Sequence, residues 1–249
     1  MKNIFKVMKN TLYSIILLLI IQQSGCGQMV VSTDSAGHTT TQLTVQTNNN
    51  SNRLGYGMVS TTYTYEGSPF VGNTVWHLGT ITLDNQDIVP MILSYNLVAG
   101  ILSTIDTVQQ LTTSIRPTSF TIEGAKFISF KAHFLGIETN EYGNLLYDGK
   151  TKFLVKLNKR LVRADRLHPF GSYSTGAYID NNEYYVQKWG KGVERVFLDN
   201  KSIFKKLSDK QLEIKNFIKN TNLSIRKEED IIAILRFYDS LFEKQVTQF

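Results

Sequence analysis

The sequence predicts an α+β protein, mainly antiparallel β in a curved sheet or partial barrel, with two or three C-terminal helices. Two observations predict it. Between residues 56 and 198, short runs of β-branched and aromatic residues recur, broken by Gly, Pro, Asn or Asp roughly every ten positions. From Lys201 onward the apolar spacing changes from two to three or four.

The first 27 residues read as an export signal. Lys2, Lys6 and Lys9 give a positive start, with no acid before Asp34. Residues 12–21 then form an apolar core, which is short for a hydrocarbon layer of ~30 Å. Met8-Lys9-Asn10 repeats Met1-Lys2-Asn3, so a start at Met8 would give a more compact signal. Cleavage has two readings. Gly25-Cys26-Gly27 offers small residues to a signal peptidase and leaves Gln28 first. Ser24-Gly25-Cys26 resembles the end of a lipobox, which would make Cys26 a lipid-bearing first residue, although Gln23 stands where an aliphatic residue is usual. Cys26 is the only cysteine, so beyond it the chain has no disulfide, thiolate nucleophile or cysteine metal site. The formal charge of +6 includes the three signal lysines; without them 24 basic residues face 21 acidic ones, or +3. That excess is too mild to imply a nucleic-acid partner.

Residues 28–53 are dominated by Ser, Thr, Asn and Gln and read as a flexible tether, with one marginal strand at Leu43-Thr44-Val45. Residues 54–200 form the expected β domain. Residues 59–65 are a strand ended by Gly67-Ser68-Pro69. Residues 74–83 and 88–97 are a hairpin about Asp84-Asn85, with Pro90 requiring an edge or a bulge. Residues 119–122, 125–134, 144–147, 151–157, 183–187 and 193–198 are further strands.

Residues 201–244 are the helical segment. One or two turns over 201–207 precede a helix capped by Ser208 or Asp209 and carrying Leu212, Ile214, Phe217 and Ile218. Ser224 precedes a longer helix whose apolar face is Ile231, Leu235, Tyr238 and Leu241 or Phe242, with Glu228, Glu229 and Asp230 at its dipole-favoured start.

Three segments carry a resemblance: GSPFVGNTVWHLGTITLDNQDIVPMILSYNL at 67–97, YGNLLYDGKTKFLVKLNKRL at 142–161, and the run from Ser202 to Leu241. The chain resembles an uncharacterised family of exported Bacteroidetes envelope proteins over roughly residues 66–241, with a Gly-x-Pro element, a Gly-x-Ile-x-Leu strand and a Tyr-Asn strand. The resemblance implies a Gram-negative envelope setting and an accessory role, and brings no catalytic residues. Exported proteins of that lineage are O-glycosylated at Asp-Ser/Thr-apolar tripeptides; of Asp34-Ser35-Ala36, Asp106-Thr107-Val108 and Asp239-Ser240-Leu241, the expected site is Ser35, in the exposed tether, since Asp239 falls on a helix that packs.

Chemistry-bearing motifs are sparse. Gly143 and Gly149-Lys150-Thr151 have five residues between the glycines where a phosphate loop has four, and a strand follows, so nucleotide binding is excluded and a turn at Asp148-Gly149 is expected. His38, His77, His133 and His168 share no metal-ligand spacing, and a fold contact between His77 and His133 is the one way to unite two of them. Residues 171–176 form a polar loop without a nucleophile elbow. Glu123, Glu138, Glu141 and Asp148 are the carboxylates placed to meet near strand ends. Lys150, Lys152, Lys156, Lys159, Arg160, Arg163 and Arg166 form a candidate interaction patch, with a solvated strand face as the competing reading. No cofactor or metal is expected. The expectation is an exported periplasmic, outer-membrane-associated or extracellular module that binds an envelope protein or polymer, touching a membrane only through a lipidated Cys26. The alternatives are a hydrolase acting on glycan or peptide and a structural subunit of an envelope assembly.

Overall fold

The computed structural model describes residues 27–49, 57–134, 137–168 and 171–243. The N-terminal stretch expected to be an export signal, through Cys26, and residues 50–56 lie outside them. Among the described residues fifteen strands and three α-helices follow in chain order, and they divide into two units.

One unit takes the described residues up to Ser68 together with Val162–Ala177. Its sheet joins β1 (Gly27–Thr33), β2 (Thr39–Asn49), β3 (Gly57–Glu66), β13 (Gly171–Asp180) and β12 (Lys159–His168) in that order. The expected tether is therefore a correction: β1 pairs with β2 from Gly27↔Val45 to Thr33↔Thr39, and β2 continues against β3 to Asn49↔Gly57. Threonine explains it. Its branched Cβ suits a strand, and hydroxyls facing across the ladder bond to each other, as Thr33 does with Thr39 (3.0 Å) and Thr44 with Thr62 (3.0 Å). Thr41, fully buried opposite Tyr65, donates its hydroxyl to the Gly67 carbonyl at 2.8 Å. The expected polar loop at 171–176 is likewise strand: β13 runs parallel to β3, with Gly176 opposite Tyr65.

The other unit takes Pro69–Leu161 and the chain from Tyr178. Its strands are β4 (His77–Thr82), β5 (Ile88–Asn96), β6 (Ile101–Asp106), β7 (Leu111–Ser114), β8 (Ser119–Ile122), β9 (Ala125–Phe134), β10 (Ile137–Asp148), β11 (Lys152–Lys156), β14 (Glu183–Gln187) and β15 (Val193–Val196). They form one antiparallel sheet in the order β15-β14-β11-β10-β9-β8-β4-β5-β6-β7. The β4–β5 hairpin is as expected. β6 pairs with β5 only from Leu93 onward, so Pro90, opposite Thr80, lacks a neighbour on its second side and its missing N–H costs no ladder bond. Tyr95, Phe120, Phe127 and Tyr142 pack edge to face or stacked under this end of the sheet, and the Tyr142 hydroxyl donates to the Pro117 carbonyl at 2.6 Å.

Toward its other end the sheet curls. β15 comes within 8 Å of β9, four strands away in the order, without forming a ladder. The concave side of the curl is filled by Phe130, Ala132, Leu154 and Tyr185. Gly143 permits this closeness, since a Cβ there would stand 3.1 Å from both Leu154 Cβ and Phe130 Cε1. A β-bulge in β10 assists. Leu145 pairs with Leu154 toward the inside, and the register then slips so that Tyr147 pairs with Phe153 toward the outside.

The outside carries the helices α1 (Asn200–Lys206), α2 (Gln211–Thr221) and α3 (Glu228–Glu243), with a single 3₁₀ turn at Ser208–Lys210. Asp199 caps α1 by accepting from the Ser202 amide at 2.7 Å. Asn222 ends α2 in the left-handed conformation at φ 54°. Ile231, Ile234, Leu235 and Tyr238 of α3 meet Phe153, Val186 and Val196 of the sheet, and Phe217 stacks on Phe237 at 4.1 Å. Leu212 departs from its expected place and is exposed, leaving Ile214 as the buried residue of α2.

Candidate functional site

Two cavities flank β15, both within the larger unit. The first is a groove of about 760 Å³ between the β14–β15 turn, β15 and α1. The turn is tight: the Lys191 amide donates to the Lys188 carbonyl at 3.0 Å, and Gly190 supplies the left-handed residue at φ 67°. Trp189 is thereby presented to solvent and is 87% exposed. On α1, Ile203 and Leu207 face the core, which turns Lys201 and Lys205 outward at i, i+4.

Three carboxylates line this groove, and each is committed. Asp199 caps α1. Glu194 pairs with Lys206, whose hydrogen bond, opposed by some burial, holds the carboxyl below its ordinary range. Asp209 accepts from Lys188 Nζ at 2.7 Å and from the Tyr238 hydroxyl at 2.8 Å. Burial alone would raise the Asp209 carboxyl, and these donors together outweigh it and lower it. Burial, then the Asp209 acceptor, raises Tyr238 in turn. Lys188 also lies 4.9 Å from the centre of the Tyr238 ring. Lys191, Lys201 and Lys205 remain: all are exposed, and none has a carboxylate within 4 Å among the described residues. Phe197, 60% exposed, stands beside them with the Arg195 guanidinium 5.3 Å from its ring.

The second cavity, about 570 Å³, is the mouth of the curled sheet on the other side of β15. Glu141 Oε2 pairs with Lys156 at 3.0 Å, and its Oε1 accepts from the Thr139 hydroxyl at 3.0 Å. Glu183 Oε1 pairs with Arg195 at 3.0 Å, and its Oε2 accepts from the Tyr185 hydroxyl at 2.9 Å. Burial raises the Tyr185 phenol first, and the Glu183 acceptor adds to it. His133 stands at the rim, 3.3 Å from Glu138, which also binds Lys131 at 2.6 Å. The Lys131 hydrogen bond holds the Glu138 carboxyl below its ordinary range.

The residues singled out in the sequence are spread apart. Lys150 lies in the exposed β10–β11 turn, Lys152 pairs with Asp148, and Lys156 enters the second cavity. Lys159 and Arg160, successive in β12, point to opposite faces. Arg163 and Arg166 fall in the stretch of β12 that belongs to the smaller unit. His77 and His133 do not meet. His77 Nδ1 lies 3.2 Å from Glu123, just beyond the start of β9, whereas His133 is near the far end of that strand, eight residues or roughly 27 Å along it. Of the four carboxylates, Glu141 alone lines either of these two cavities; Glu123 and Asp148 pair with His77 and Lys152. The 143–151 segment is a hairpin with its turn after Asp148, as expected. Ser35 lies in the exposed turn between β1 and β2, and Asp239 is buried. No group of three His, Cys, Asp or Glu side chains suited to a metal occurs among the described residues, nor any helix long and apolar enough to cross a membrane.

The groove was missed from sequence, although a signal existed: six cations against two acids over residues 188–206, with Trp189 and Phe197 among them. Compared with protein-family models, with curated proteins and with solved structures, the chain finds no match.

Proposed function

We propose that the protein is an exported, non-catalytic binding module of the cell envelope that holds an acidic polymer in the groove beside β15. One observation carries this reading: six cations line the groove against three acids, and Lys191, Lys201 and Lys205 stand exposed beside Phe197 with no carboxylate within 4 Å among the described residues. Uncompensated cations in a cleft raise the local concentration of anions. These come from a turn and a helix face rather than converging on one point, which suits anionic groups repeated along a chain. The lysine-led apolar N-terminus and the resemblance to exported Bacteroidetes envelope proteins support the setting.

The hydrolase alternative draws on the second cavity, where the Tyr185 hydroxyl and Glu183 are hydrogen-bonded. There both oxygens of Glu141 and of Glu183 already accept a bond, three of the four from Lys156, Arg195 or Tyr185. Lys156 and Arg195 hold both carboxylates in ion pairs on their own wall. Binding is the better reading.

The test is calorimetric titration of the full chain with heparin and polygalacturonate against neutral dextran, at low and high salt. Binding to the two polyanions, weakening with salt and falling at least about tenfold in a K191E/K201E/K205E variant, is the expected result. Equal affinity in that variant would overturn the groove. Recovery of the native chain from cytosol, still beginning at Met1, would overturn the export.

A further inference from the structure

We propose that the mouth of the curled sheet is a second binding site, and that it takes an uncharged polyhydroxylated unit of one or two sugar rings. The inference stands apart from the groove, because the two cavities differ in charge. In the groove three lysines are left over. In the mouth the charges cancel in pairs, Lys156 with Glu141 and Arg195 with Glu183, each at 3.0 Å. Glu194 at its border is neutralised by Lys206. An ion entering would meet no uncompensated partner.

What the mouth offers is unused hydrogen-bonding capacity of both kinds. Each of the four oxygens of Glu141 and Glu183 accepts one bond on its own wall and keeps a second lone pair. The Lys156 ammonium spends one of its three N–H groups on Glu141, and the Arg195 guanidinium, with five, has more to spare. Donors and acceptors therefore alternate along the wall at the spacing of an ion pair. A hydroxyl both donates and accepts, so two adjacent hydroxyls on a ring can bridge one such pair, one giving to the carboxylate and its neighbour accepting from the cation. A purely anionic or cationic ligand would leave half of these groups desolvated and unpaired, at a cost of ~1–3 kcal/mol each.

Size and rigidity agree. About 570 Å³ lies within the range of pockets that enclose small ligands. The polar groups are fixed before any ligand arrives: Lys156, Glu141 and Glu183 are each about four-fifths buried, and the Tyr185 hydroxyl holds Glu183 from below. Ala132 and Val193 add small apolar surface for the C–H face of a ring.

The experiment titrates the isotopically labelled full chain with cellobiose, chitobiose, maltose and lactose, following backbone amide shifts. The expected result is saturable shifts at Thr139, Glu141, Lys156, Tyr185 and Arg195 with at least one disaccharide, unchanged by salt and by K191E/K201E/K205E. Thr139→Trp, which fills the mouth from an exposed position, and Glu141→Gln, which breaks the Lys156 pair, should each weaken that binding at least tenfold, with Thr139→Trp leaving the circular dichroism unchanged. The proposal is overturned if no disaccharide moves these amides, if binding survives in both variants, or if tetra-alanine moves them as strongly. Shifts that vanish with salt or with the lysine reversals would assign the sugar to the groove and also overturn it. Loss of polyanion binding with disaccharide shifts intact would sink only the groove.

Discussion

Asp239 Oδ2, on α3, accepts the Tyr147 hydroxyl at 3.0 Å, and it takes the Thr151 amide at 2.9 Å as well. One carboxylate oxygen thus joins the last helix to both ends of the β10–β11 turn, ninety residues back in the chain. Gly149 makes room for it: a Cβ there would collide with the Tyr147 hydroxyl and with Asp239 Oδ2. Asp239 is only 4% exposed, and its Oδ1 has no hydrogen-bond partner among the described residues. Removing the acceptor strands two donors, so Asp239→Ala should cost about 2–4 kcal/mol. Asp239→Asn keeps an acceptor and removes a buried charge, and should stay within about 1 kcal/mol of the parent. Urea unfolding compares them. Equal stability of the alanine variant would show that the helix is held by apolar packing alone.

The same segment shows what could be read in advance. The spacing of Gly143 and Gly149 excluded a phosphate loop and placed a turn at Asp148-Gly149, because turn chemistry is local. The reason Gly149 must be glycine was only partly local, since beside the Tyr147 hydroxyl it is Asp239, in a helix far along the chain. Strands such as β8, β9 and β14 were legible from their alternation, and α3 from Ile231, Leu235 and Tyr238 at helical spacing. β1, β12 and β13 were not, and of β2 only Leu43-Thr44-Val45 was, since in β1 and β2 threonine hydroxyls and backbone pairing hold the ladder without a continuous apolar stripe. The groove escaped for a third reason. Its cations were visible, but which of them stay free depends on pairings such as Lys188 with Asp209, 21 residues apart.

Acid should loosen the helical layer through Asp209. Its carboxyl is lowered below the ordinary value of 3.8: burial opposes the shift, and the bonds from Lys188 and Tyr238 prevail. A carboxyl lowered in the folded state contributes stability that is present above its unfolded value and lost as the pH falls through its folded value. Helical circular dichroism during thermal melts should therefore show Tm falling more steeply below pH 3.8 in the parent than in Asp209→Asn, which starts less stable at neutral pH. Parallel curves would remove Asp209 from the explanation.

Alkali should act at the opposite corner of the same layer. Tyr184 is raised to about 12, first by burial and then by donating to Glu228 Oε1 at 2.7 Å, at the start of α3. Tyr142 is also raised to about 12 by burial, against the opposing charge of Arg116. Raised phenols favour the neutral form in the folded state, so their stability is intact below 10 and is lost as the pH climbs through about 12. Tyr184→Phe should cost about 0.5–1.5 kcal/mol at neutral pH and make the helices less sensitive to alkali. Tyrosinate absorbance followed together with helical signal tests this. Ionisation of Tyr184 well before any helix is lost would contradict it.

The potential of the groove can be measured without any polymer. The chain has two tryptophans, and Trp189 is 87% exposed while Trp76 keeps its indole N–H buried. Trp189 stands on a tight turn between Lys188 and Lys191; the acids of the groove are committed to their own partners, so an anion approaching it meets net positive charge. Iodide should therefore quench the fluorescence several-fold more steeply than caesium, and the difference should shrink as salt screens fields beyond ~8 Å. Trp189→Phe should abolish most of the iodide quenching. K191E/K201E/K205E should reverse the order of the two ions, because the reversal turns three exposed cations into three anions without touching the core. Caesium quenching the parent as well as iodide would mean that the groove holds no positive field, and nothing would then draw an acidic chain to it.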